Sequence, residues 1–423
     1  GLHDHHIHLL ASAAARMSVR CGPPEVTDRA ALVRALRAAA SAGGWIRGVG
    51  YHESVAGLPD RWQLDQMVAD RPLRLQHRSG KMWLLNSAAV AELDLNRVVD
   101  SPGVERDASG RVSGRLFRMD AWLGRRLRQT GWVSELMPQL AAISARLAGC
   151  GVTGVTDAGA GNDGAALAML TLARQSGRLL QLALLLGRDI LPRPCWPGLE
   201  RRAVKILLDD HRLPDFDALT RRRAGAHQSQ RPVAVHCVTA TELVFALSAL
   251  EEAGSRRGDR IEHASVTPQD TLRLLRQRGV AVVTQPAFIY QRGDQYRRDV
   301  PAIEHAQLYR GSSFLDHGIP LAGSSDSPYG DLDPWLGMRA AVRRLTRGGA
   351  ELAGSEALSP EQALALYTGR AESPGCGQRR VSVGEPASLC VLDRPWQQAR
   401  LRLSADDVAA TIADGRLIYQ RDA

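Results

Sequence analysis

The chain has 423 residues, 44% hydrophobic and 5% aromatic, with 54 lysines and arginines against 45 aspartates and glutamates. That length buries a large core and admits one large α/β barrel or two to three smaller domains. The formal charge of +9 is spread over dispersed arginines with few aromatics among them, which argues against a nucleic-acid surface.

No apolar run reaches the roughly 18 residues that a membrane span needs, and the longest candidate, LLQLALLLG, reads as a buried strand. The six cysteines are widely spaced without a CxxC pair, so free thiols in a reducing cytoplasm are expected.

In chain order, residues 2–8 form the first strand candidate. A long stretch follows that one crossover helix cannot fill; it reads as an inserted subdomain at about 45–145 with its own strand-like run, LRLQHRS, at 73–79. Seven further short apolar runs follow, at 151–157, 180–186, 204–209, 232–237, 260–264, 280–285 and 319–326. Amphipathic helical patterns alternate with them, including 240–253 and 268–278, the second with Thr267 as N-cap before Pro268. Eight such units predict an α/β fold, a (β/α)8 TIM-like barrel over 1–375. From 376 to 423 the texture becomes short β-type segments with a turn at Asp414 and Gly415, the expected C-terminal part of a small β-sandwich.

Only two of the 54 basic side chains are lysines, Lys81 and Lys205. Lys205 lies between Val204 and Ile206 in a strand-like run where a charge is costly. Burial lowers a lysine pKa, and only a neutral amine reacts with carbon dioxide to form a carbamate. The plainer alternative is a buried lysine paired with Asp209 or Asp210.

His6 and His8, two apart on one strand, share a face and form a clamp for one ion. His236, His263 and Asp326 each fall near the C-terminal end of a separate strand, where barrel active sites are assembled. Histidine nitrogen and carboxylate oxygen suit zinc, which lowers the pKa of water to about 7. Singly, such a histidine is as well read as a packing residue, and Asp326 as a cap for the helix after Pro328. His77, Asp209, Tyr290 and Lys81 are candidate substrate contacts; Trp83 and Tyr329 join Tyr290 as candidate pocket walls.

The segments GLHDHHIHL, GWIRGVGYHES, DRPLRLQHRSGKMWLLNSAAV, GVTGVTDAG, VKILLDD, PVAVHC, RIEHASV, GSSDSPYGDLDPWLGMRAAV, SPEQALALYTGRAE and VSVGEPASLCVLD together resemble the amidohydrolase superfamily, in the family 3 branch of N-substituted formamide deformylase-like enzymes. The resemblance implies that His6, His8 and Asp326 hold a first divalent ion, that an N-carboxylated Lys205 bridges to a second held by His236 and His263, and that Asp326 is the general base. It implies hydrolysis of a non-peptide C–N bond (amide, formamide or cyclic amide) by hydroxide formed on zinc, one or two ions per chain. It also implies a sandwich normally built from both chain ends, whose N-terminal half is absent from this sequence. Where many relatives carry glycine-histidine, this chain has Gly80 and Lys81. The alternatives are a mononuclear deaminase-type site of His6, His8, His236 and Asp326, and a non-catalytic barrel scaffold. The expected partner is a small-molecule substrate, with no nucleic acid and no membrane; a homo-oligomer is compatible with the sequence.

Overall fold

The computed structural model describes residues 1–39, 44–98, 101–127, 132–252 and 254–422. All eight barrel strands form: β1 Leu2–Ile7, β2 Val152–Asp157, β3 Leu182–Gly187, β4 Leu199–Leu207, β5 Val233–Cys237, β6 Arg260–His263, β7 Ala281–Thr284 and β8 Leu321–Gly323. They pair in that order, all parallel. Beyond the end of β8 the chain runs on beside β1, where Asp326 N donates to His6 O at 2.8 Å and His8 N donates to Ser327 O at 2.9 Å. These two bonds join the last strand to the first.

Strands β1, β2 and β7 are buried along their whole length, as expected for a parallel sheet covered on both faces, although β1 carries Asp4 and three histidines. Helices between them bury one stripe each. Ala240–Glu252 buries Leu243, Ala246, Leu247 and Leu250; the expected last residue of this helix, 253, lies outside the described residues. Cys237 points toward this helix, its Sγ 3.6 Å from Glu242 O. All six cysteines are free thiols.

Thr267 does not cap the helix Gln269–Arg278. Pro268 holds the N-cap position without a side-chain bond, and the Thr267 hydroxyl donates backward to Ala264 O at 2.9 Å. The helix Pro334–Arg343 is capped by Asp333, which accepts from Trp335 N at 2.8 Å, so Asp326 is not spent on capping.

The chain divides into two compact units, one of Gly1–Leu10 with Leu140–Ala423 and the other of Ala11–Gln139. The second begins earlier than residue 45 because the strand Val19–Arg20 pairs with Ile46–Tyr51 and belongs to the same sheet. That sheet has six strands, of which the sequence signalled Leu73–His77. In the C-terminal region the strands are Leu389–Leu392, Val408–Ala413 and Arg416–Gln420, forming an antiparallel three-stranded sheet. The turn at Asp414 (φ 49°) and Gly415 (φ 76°) is the left-handed pair that a two-residue hairpin requires. Residues 381–388, expected to be β-type, form no strand. Thr411 Oγ1 donates to Ala148 O at 2.7 Å and ties this sheet to the chain entering β2. Among the described residues no helix is long and apolar enough to cross a membrane.

One buried ion pair holds the segment after β7 to the loop before residue 360. Glu356, 2% exposed, accepts from Arg310 Nη1 at 2.6 Å, Ser313 Oγ at 2.6 Å, Ser313 N at 2.9 Å and Gly311 N at 3.0 Å. Burial alone would raise its pKa, but Ser313, Gly311 and Arg310 together hold it below the ordinary 4.5. A folded-state value below the unfolded one contributes stability that is present above pH 4.5 and lost as pH falls through the folded value. Glu356→Gln should therefore cost about 3–5 kcal/mol at pH 7 by leaving Arg310 without its counter-charge. Urea denaturation of both proteins should show this gap narrowing below pH 4.5; equal stabilities at pH 7 would contradict the assignment.

Candidate metal centre

The C-terminal ends of five barrel strands supply the predicted ligands: His6 and His8 at the end of β1, Lys205 on β4, His236 on β5, His263 closing β6, and Asp326 just past β8. Register brings neighbours level, with Leu207 beside His236 and Cys237 beside His263. Ligand atoms of His6, His8 and Asp326 all lie within 4.8 Å of one another. Asp326 Oδ1 is 3.2 Å from His8 Nε2 and 3.5 Å from His6 Nε2. Asp326 Oδ2 is 4.0 Å from His263 Nδ1. The His263 ring lies 4.9 Å from that of His6 and 4.5 Å from that of His236.

Three non-glycine residues here have left-handed backbones: His263 (φ 72°), Ala264 (φ 47°) and Asp326 (φ 52°). Each such residue stores strain of order 1–3 kcal/mol, and such residues concentrate where geometry is imposed by function. The turn re-aims side chains that strict strand alternation would send elsewhere.

The donor set fits a divalent cation. Asp326 Oδ1 is buried without a hydrogen-bond partner although two imidazole nitrogens face it. Burial would raise the Asp326 pKa, but His8, His6 and His263 around it hold the carboxylate well below its usual range. His6 is pushed down to about 3, first by burial and then by the Lys205 charge, so its ring is neutral and able to ligate. Lys205 Nζ is also buried without a hydrogen bond. Burial, opposed by Glu262, lowers its pKa to about 8.

Behind the ligands lies a polar layer that sequence reading missed. Glu262, fully buried, accepts from His6 Nδ1 at 2.5 Å and from Arg260 Nε at 2.6 Å, and stands 3.9 Å from Lys205 Nζ. Its carboxyl is held well below the usual range: burial opposes this, but Arg260, Lys205 and His6 prevail. Because Glu262 accepts at Nδ1, the His6 proton is fixed there and Nε2 faces Asp326 as a lone pair. His263 is oriented likewise by Gln285 Oε1, 2.8 Å from Nδ1, and Gln285 in turn donates to Ser324 Oγ at 2.9 Å. Asp4 accepts from His6 N, Ser325 N and Ser325 Oγ, and pins the β1 end to the Asp326 turn. The signal for Glu262 was present in RIEHA, since Arg and Glu two apart on a strand share a face and a buried pair of that kind must be satisfied.

The other nominated residues separate. Tyr329 joins the site, its ring 5.9 Å edge-on from His8. Asp209 falls in a different group with Asp210 and Glu242, where Glu242 accepts from the backbone of Asp210, Val238 and Thr239. The counter-charge nearest Lys205 Nζ is Glu262, at 3.9 Å. Tyr290 lies on the helix Ala287–Asp299 with Arg347 5.7 Å from its ring.

His77, Lys81 and Trp83 belong to the Ala11–Gln139 unit. There His77 Nε2 bonds Glu53 at 2.8 Å and its ring stacks on His52. Trp83 is a core residue of the unit, its indole donating to Asp120 at 2.8 Å.

A barrel whose strand ends gather imidazoles, a carboxylate and a buried lysine defines the class of metal-dependent hydrolases. A model described as the amidohydrolase family matches residues 1–419, and the chain belongs to that family, hydrolases acting on carbon–nitrogen bonds. It is similar to the N-substituted formamide deformylase of Arthrobacter pascens, 26% identical over 479 aligned residues that take in 100% of this chain and 88% of the relative. It is similar also to the putative amidohydrolase YtcJ of Bacillus subtilis, 22% identical over 477 residues, with the same coverage of each. Among solved structures, a metal-dependent hydrolase from Pyrococcus horikoshii shares the fold, with a TM-score of 0.66, 22% identity, and coverage of 87% of this chain and 79% of its own.

Glu262→Gln tests the layer behind the ligands. It should weaken zinc affinity by about 10–100-fold through His6 and lower stability by about 3–5 kcal/mol by leaving Arg260 uncompensated. Competition with a chelating dye measures the first and urea denaturation the second. Wild-type zinc affinity in the variant would remove Glu262 from this role.

Proposed function

We propose that this protein hydrolyses the C–N bond of a small non-peptide amide, of the formamide or cyclic amide type, with a divalent ion, zinc by ligand chemistry, at His6, His8 and Asp326. The observation that carries the reading is the meeting of these three side chains around a buried carboxylate oxygen that lacks a hydrogen bond. An ion bound there would supply Lewis acidity, polarising a carbonyl oxygen and lowering the pKa of water to about 7.

The chain's own groups then divide the work. His6 and His8 present ring nitrogens from the end of one strand, and Glu262 and Gln285 hold the His6 and His263 rings in place through Nδ1. Asp326 turns Oδ1 toward His6 and His8, which leaves Oδ2 to take the proton of the attacking water and return it to the amine nitrogen as the C–N bond breaks. Tyr329, beside His8, forms an apolar wall for the substrate. The formamide preference draws on the similarity to the deformylase.

Two versions of the centre are supported by different observations. The paired rings of His236 and His263, with a Lys205 amine that burial drives toward neutrality, favour a second ion bridged by a lysine carbamate, formed when the neutral amine adds to carbon dioxide with release of a proton. The Glu262 carboxylate 3.9 Å from Lys205 Nζ favours an unmodified lysine and one ion, because it already gives the ammonium a counter-charge.

Asp326→Asn should lower kcat on an N-substituted formamide such as N-benzylformamide by about 10²–10⁴-fold. Steady-state assays on metal-loaded protein with the same circular dichroism as wild type provide the measurement. Turnover at the wild-type rate would end the proton-transfer role.

A further inference from the structure

The opposite, N-terminal mouth of the barrel carries two adjoining cavities. A cavity of about 190 Å³ opens there between the starts of β4, β5 and β6; its charged lining is Arg202, Arg256, Arg257, Arg260 and Glu372. An adjoining cavity of about 350 Å³ shares Arg202, Gln230 and Pro232 with it and adds Arg193, Arg201, Arg231 and Glu200. The larger one falls within the roughly 300–1,000 Å³ typical of small-molecule sites.

Several of these arginines are already engaged, Arg201 among them, its Nη1 donating to Leu191 O at 2.8 Å. Arg231 donates to the carbonyls of Arg188, Asp189, Arg202 and Ala203, and Arg260 is held by Glu262 and His5 O. Each of the two acids faces one arginine. Glu200 pairs with Arg202 at 2.5 Å, while Glu372 lies 3.7 Å from Arg370. Arg202 Nε is buried without a hydrogen bond. The guanidiniums also oppose one another: Arg201 is pushed down by burial and then by Arg193, and Arg231 is pushed down to about 10 by burial and then by Arg201. Concave surfaces lined with one sign of charge concentrate counter-ions.

We infer that this mouth is a binding site for a small molecule bearing a phosphate group, distinct from the metal centre at the other end of the barrel. The planar fork of arginine matches phosphate oxygens in pairs. Arg202, Arg256 and Arg257 line the cavity together and supply such forks, with Gln230 as a neutral partner already bonded to Arg256 Nη2 at 2.7 Å. Leu184, Leu186 and Pro374 form an apolar wall that a free ion would not use but the body of an ester would.

The test is calorimetric titration of the metal-loaded full chain at fixed ionic strength with orthophosphate, ribose 5-phosphate, citrate and a short DNA duplex. Each is run against wild type, Arg257→Gln and the double variant Arg202→Gln/Arg257→Gln. Arg257 is exposed, so its single variant keeps the fold in play if the double variant is unstable. The inference expects both phosphates to bind, the ester more tightly, with affinity falling about 10-fold or more in the double variant and partway in the single one. Unchanged phosphate affinity in both variants would place the ions at the metal centre and overturn the inference. So would citrate binding as well as the ester, binding of the duplex alone, or no binding of either phosphate.

Discussion

The buried carboxylate of Glu262 is the interaction on which the rest of the structure depends. It is the shared anion for Arg260 at 2.6 Å, His6 at 2.5 Å and Lys205 at 3.9 Å, and it is fully enclosed in the barrel. Charges taken from water into a protein interior cost several kcal/mol each unless paired and hydrogen-bonded. One acid satisfying an arginine, orienting an imidazole and lying near an ammonium lets three polar groups survive in an interior that also buries Val204, Ile206, Ala234 and Val235. Arg260 also donates to His5 O at 3.1 Å, so the same cluster ties β6 across the barrel to β1. The position of His6 Nε2, and with it the geometry of the candidate metal centre, follows from that network.

The two mouths of the barrel differ in what they gather. The C-terminal ends carry imidazoles and an acid held ionised, with left-handed residues at His263, Ala264 and Asp326. The N-terminal ends carry arginines, some spent on carbonyls and some not. Strand direction imposes the separation, since in a parallel barrel every strand contributes its last residues to one rim and its first to the other.

Much of this was legible in the sequence. Strand positions followed from short apolar runs between amphipathic stretches, and the candidate ligands were nominated from histidines two apart and from a lysine set in an apolar strand among arginines. What escaped notice has physical causes. Glu262 is adjacent to a histidine that drew the attention, and its importance depends on partners 57 and 256 positions away in the chain. Thr267 has the chemistry of a cap, but its hydroxyl finds Ala264 O first. The six-stranded sheet of the Ala11–Gln139 unit is built from strands as short as Val19–Arg20, too short to show periodicity. Trp83 looked like a pocket wall because aromatics near strand ends serve either purpose; tertiary packing made it core.

The most direct test of the central claim is metal content per chain by elemental mass spectrometry, on wild type and on His6→Ala/His8→Ala expressed with zinc and bicarbonate. The account predicts about one or two ions in wild type, as expected for barrel sites of this ligand chemistry, and loss of at least one in the double variant. Equal metal content in the two proteins, or none in wild type, would contradict it.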